Sequence, residues 1–153
     1  LLSNQSIVPI NPTTVIDAKK KVVGQIVPFM NECSDVPISV AYKFGKRIFS
    51  VGVNKVGFAK CQLFYIFESS DFSGTPYKVI DPSLFIEGAR VGEPNSTLYI
   101  SDIEHIKQNV QSHSTQEWPG WCNSNADNII QYAAPEVPLI DLETIFTPPF
   151  KVK

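Results

Sequence analysis

The feature that most constrains this chain is a series of short runs that alternate at the two-residue period of a β-strand. In residues 36–44, Val40, Tyr42 and Phe44 alternate with smaller or polar neighbours. In residues 46–53, Ile48, Ser50 and Gly52 are set against Phe49, Val51 and Val53. Gly45 lies between the two runs, so they are expected to form a hairpin. Asn54-Lys55-Val56-Gly57 then reads as a second turn. Residues 58–67 form the longest run. Ala59, Cys61, Leu63, Tyr65 and Phe67 occupy one side of it and are expected to face the core. Residues 77–80, 97–100 and 128–133 add shorter candidate strands.

One segment reads as helix. Ser101 followed by Glu104 has the capping-box spacing, and Ile103, Ile106 and Val110 would share a face. Beyond residue 135, Pro138, Pro148 and Pro149 argue for extended chain over the surface, ending in an edge segment at residues 142–146. The expected fold class is therefore all-β, or mainly β with one short helix, arranged as a Greek-key β-sandwich. The 153 residues suit a single domain, 1–153, with a Pro-rich extended segment from about 135.

Composition narrows the function classes. An apolar content of 43 % with ten Phe can supply a packed core. A net charge of −2 indicates no basic face for nucleic acid. The one basic run, Lys19-Lys20-Lys21, reads as a solvated approach to a strand. No apolar run reaches the ~20 residues of a membrane-spanning helix. The chain starts at Leu1 without Met, which suggests a removed leader or a fragment. Asn4-Gln5-Ser6 and Asn95-Ser96-Thr97 are glycosylation sequons, and with the twelve Pro they point to a secreted, extracellular glycoprotein.

The cysteines, Cys33, Cys61 and Cys122, match no zinc spacing. Cys33 and Cys122 fall in polar stretches and Cys61 on an apolar strand face. The expected disulfide is Cys33–Cys122, with Cys61 free and buried; Cys61 bonded to either of the others is the alternative.

Residues 66–77 read Ile-Phe-Glu-Ser-Ser-Asp-Phe-Ser-Gly-Thr-Pro-Tyr. This segment resembles the Greek-key motif of the βγ-crystallins, which the likeness covers over about residues 62–101. Phe67 and Glu68 take the motif's opening positions, Phe72 its second aromatic, Gly74 its glycine and Tyr77 the aromatic that follows. Ser96 matches the downstream serine. The resemblance implies a folded hairpin in which Phe67 and Phe72 pack together, Gly74 has positive φ and Ser96 ties the bend down by a hydrogen bond. A convincing second copy is not found. Some family members bind calcium just before that serine, but the acidic pair is missing from Val91-Gly92-Glu93-Pro94-Asn95.

Catalytic candidates are few. His105 lies near Asp102 and Glu104, and His113 is the other histidine; either with an acidic partner could act as a general base. No nucleophile elbow or phosphate loop accompanies them. Trp118 and Trp121 flank Pro119-Gly120 and, with Asn123 and Asp127, could form a contact surface for a protein or glycan partner. The alternating Asn123, Asn125 and Asp127 lack the closing Glu of a calcium loop. No metal site and no cofactor is indicated.

These residues point to a secreted, non-enzymatic binding, effector or toxin-like protein acting on a partner protein or cell surface. A small secreted hydrolase or nuclease using His105 or His113 is one alternative. A structural or capsid-like module is another.

Overall fold

A computed structural model describes residues 13–28, 38–60, 63–118, 121–124 and 127–153. Among them the chain is all-β, with two sheets packed as a sandwich. The first sheet holds β1 (Thr14–Ile16), β2 (Val22–Val27), β3 (Ile38–Phe44), β4 (Arg47–Asn54), β5 (Gly57–Phe58), β8 (Ile86–Gly88) and β15 (Lys151–Val152). Its order is β15-β1-β2-β3-β4-β5, with β8 paired in parallel to β4. The second sheet holds β6 (Leu63–Phe67), β7 (Tyr77–Val79), β9 (Arg90–Gly92), β10 (Thr97–Ser101), β11 (Lys107–Ser112), β12 (Ser114–Trp118), β13 (Trp121–Asn123) and β14 (Asn128–Asp141). Its order is β13-β12-β6-β7-β14-β10-β9, with β11 also on β14.

The hairpin expected around Gly45 is present, from Ile38↔Val53 to Phe44↔Arg47. Its alternation decides the packing. Val40, Tyr42, Phe49, Val51 and Val53 are buried in the main core, with Val91, Leu98 and Ile100 of the second sheet.

Four expectations are corrected. Residues 58–67 are not one strand: β5 ends in the first sheet and β6 belongs to the second. Phe67 is buried as expected and Tyr65 half-buried, but Ile66 on the opposite side is buried too. A second cluster of Ile66, Tyr77, Val110 and Ala133 takes it up, so both faces of β6 are covered there. Cys61 lies outside the described residues.

The expected helix is one 3-10 turn, Ile103–His105, capped by Asp102 rather than Ser101. Ser101 stays in β10, opposite Glu136, and Lys107–Ser112 pairs with β14. A three-residue apolar stripe cannot compete with two ladders that satisfy the same backbone groups.

The Pro-rich tail does not wrap the surface. Pro135 and Pro138 sit inside the 14-residue β14. Pro138 faces Tyr99 where the register shifts, a bulge that tolerates a residue without N–H. The segment at 142–146 is not an edge strand either. Leu142–Thr144 is a 3-10 turn, and Leu142 and Phe146 are buried in the main core.

A polar knot lies within the second sheet. Arg90 Nε donates to Glu136 Oε1 at 2.8 Å, and Tyr65 Oη donates to the same oxygen at 2.8 Å. The side chains of Arg90 and Glu136 are only 11 % and 5 % exposed. The guanidinium stacks on Tyr99, 3.9 Å from the ring centroid. A Cβ at Gly92 would stand 2.2 Å from Arg90 Nη1, so glycine leaves room for the held guanidinium. Burial works against the charge on Arg90, yet Glu136 holds its pKa above the ordinary value. Burial, and then the bond to Glu136, push the Tyr65 phenol from 10.0 up to about 12.

Two outcomes follow from this knot. Glu136→Gln leaves a buried guanidinium without its counter-charge and is expected to cost about 3–5 kcal/mol, read from denaturant unfolding. The Tyr65 phenolate is expected to form only at about pH 12 in an ultraviolet titration. Its raised pKa contributes stability that is complete below pH 10.0 and lost as pH rises through about 12. Glu136→Gln is expected to bring that ionisation down, and Tyr65→Phe to remove it.

Candidate functional site

The candidate site is an apolar cavity at the end of the first sheet where β4 finishes. Its floor is Val15 and Val53, each 2 % exposed, and Phe150, 4 % exposed. Ile38 and Pro149 extend the walls, and the exposed Val56 and Val152 stand at the mouth. The volume is about 780 Å³.

Local chemistry places each wall. Asn54 Oδ1 accepts from Val56 N at 2.9 Å and from Gly57 N at 3.2 Å, closing the turn after β4. Phe150 N donates to Lys55 O at 2.9 Å, which fastens the C-terminal segment to that turn. Phe150 also packs edge-to-face on Phe58 at 4.9 Å. Beyond it, β15 pairs Val152 with Val15. The far wall is thus built from chain about a hundred residues away from β4.

The same segment is held from a second side. The buried Asp17 carboxylate accepts from Lys19 N, Lys21 N and Thr147 N at 2.9, 2.8 and 2.8 Å. The bond from Thr147 is the main cause that holds its pKa below the ordinary 3.8. The basic run expected to be solvated is exposed on this turn.

The residues singled out in the sequence lie elsewhere and do not converge. His105 Nδ1 is 2.7 Å from Asp102 Oδ2, and the imidazole side chain is 70 % exposed. His113 Nδ1 is 2.6 Å from Asp127 Oδ1, both well exposed. Each is a two-residue pair on a separate connection. Among the described residues no group of three His, Cys, Asp or Glu side chains could hold a metal.

Trp118 ends β12 and Trp121 begins β13, and the two strands pair at the sheet edge. The side chains of both Trp lie outside the described residues. Asn123 pairs with Thr115 between these strands. Asn95 is exposed with φ of 54°, and Asn4 lies outside the described residues. Cys122 is exposed with a free sulfur; Cys33, expected as its disulfide partner, lies outside the described residues.

Residues 68–74 form a bend between β6 and β7. Phe67 and Phe72 meet edge-to-face at 6.0 Å, and Gly74 has φ of +88°, which glycine adopts without Cβ strain. Glu68 pairs with Lys107 at 2.9 Å, and the Lys107 ammonium also lies over the ring of buried Tyr77. That hydrogen bond to Glu68 raises the Lys107 pKa. Ser96 does not tie the bend down: its hydroxyl donates to Glu143 Oε1 at 2.9 Å. Ser114 does so instead, donating from β12 to Ser69 O at 2.6 Å.

The cavity residues were missed in the sequence because each reads as ordinary strand or turn. The only signal was that Pro149-Phe150-Lys151-Val152 returns to an apolar–polar alternation after two prolines. Among the described residues no helix is long and apolar enough to cross a membrane. No family model, no curated protein and no solved structure matches the chain.

The exposed, free thiol makes Cys122 accessible in the native fold. Iodoacetamide is expected to alkylate it without denaturant, and peptide mapping is expected to recover the 122-containing peptide singly, not cross-linked.

Proposed function

We propose that this chain is a non-enzymatic binding protein, acting outside the cell, that takes an apolar ligand into the cavity beside Phe150. One observation carries the reading: a concave, almost wholly apolar space of about 780 Å³ opens at the end of a packed core. Ligand sites of this kind occupy roughly 300–1,000 Å³ and are lined mainly by hydrophobic side chains. The ligand is either free or the apolar part of a partner, which keeps an effector role at a cell surface within the same proposal. The two sequons and the twelve Pro support the extracellular setting.

A hydrolase or nuclease would use His113 with Asp127, whose 2.6 Å contact could orient the ring. Against it stand the exposure of that pair and its place outside the cavity. General bases work best where water is excluded and a reacting atom can be positioned.

Nile red, a neutral polarity-sensitive dye, tests the reading. Saturable fluorescence enhancement is expected with one dye per chain. Val56→Asp and Val152→Asp place a charge at the exposed mouth and are expected to weaken binding roughly fivefold each, about 1 kcal/mol. Replacing His105 and His113 together with Ala is expected to leave binding unchanged. Absence of saturable binding overturns the proposal; a histidine-dependent hydrolytic activity on ester or nucleic acid substrates favours the enzymatic reading.

A further inference from the structure

Resting on the cavity as a binding site, we infer that its ligand is an amphiphilic anion: an alkyl chain ending in a carboxylate. Three side chains of the lining are polar, and they differ in what they can still offer. Asn54 has its carboxamide oxygen committed to the turn, through Val56 N and Gly57 N. Among the described residues Lys55 and Lys151 carry the only charges on the lining, and both are positive. Each is exposed, and among the described residues neither ammonium group has a carboxylate partner.

The two lysines come from opposite walls. Lys55 sits on the turn after β4, and Lys151 sits on β15. The bond from Phe150 N to Lys55 O fixes one wall against the other. Val15, Val53 and Phe150 lie buried beneath, and among the described residues no acidic side chain is on the lining. An apolar chain therefore finds its match on the floor and an anionic head its match at the rim. A cationic head would meet two like charges, and a neutral head would forgo the attraction. The exposure of both lysines limits the gain, because exposed ion pairs contribute little and are screened by salt.

Competition against Nile red with three ligands of equal chain length separates this inference from the reading beneath it. The ligands are decanoate, decanol and decyltrimethylammonium, at low ionic strength and neutral pH. Decanoate is expected to bind roughly fivefold more tightly than decanol, and the ammonium compound more weakly than both. Added salt is expected to shrink the difference. Lys55→Glu with Lys151→Glu reverses the charge of the two lining lysines and is expected to abolish or reverse the ratio of decanoate to decanol affinity. Equal affinity for decanoate and decanol overturns the inference and leaves the apolar site standing. Failure of all three to displace the dye overturns both. A dimer in sedimentation that dissociates on Val56→Asp shows a second copy in the groove and also overturns it.

Discussion

A guanidinium and a carboxylate taken out of water must be matched group for group, and the second sheet is organised around one such match. Arg90, Glu136, Tyr65 and Tyr99 belong to four strands, β9, β14, β6 and β10. Arg90 and Tyr65 both converge on one oxygen of Glu136, and Tyr99 covers the guanidinium face. No hydrophobic contact sets strand positions so narrowly, because apolar side chains pack acceptably over a range of offsets. The polar knot requires one register of β14 against β10, and a bulge at Pro138 lets that register hold on either side. A half-satisfied version would be worse than an apolar core, so the strands are held together or not at all.

The long β14 transmits that constraint. Its first half pairs with β11 and β7 over the smaller cluster, and its second half pairs with β10 over the main core. Directly after it the chain turns at Leu142 into the main core. From there Thr147 reaches Asp17 and Phe150 reaches Lys55. The C-terminal segment thus closes the first sheet and makes a wall of the cavity in the same stretch. The cavity owes its shape to two polar anchors on its backbone rather than to filling by side chains. Such anchoring leaves apolar surface unfilled where a ligand can use it.

Much of the architecture was legible in residue order. The alternation of Val40, Tyr42, Phe49, Val51 and Val53 identified both the hairpin and its buried face, because period-two patterning is local. The same logic failed for Ile66, since both sides of β6 are covered by strands that come later in the chain. It failed for Ser101 and Val110 because a capping pattern cannot register the ladder partners Glu136 and Ile130. The contact between Phe67 and Phe72 was expected only through a resemblance of the local segment to a known motif. The serine holding their bend could not be read, since Ser114 reaches it only through the pairing of β12 with β6.

The sequence by itself determined the all-β character, the turn at Gly45 and the face of the central hairpin that meets the core. Those depend on the order of apolar and polar residues over a few positions. Tertiary structure alone decided that Pro135 and Pro138 enter a strand, that Arg90 finds Glu136, and that Lys55 and Lys151 share the rim of one cavity. Each of these joins residues dozens of positions apart, and local propensity carries no information about which distant strand will supply a partner.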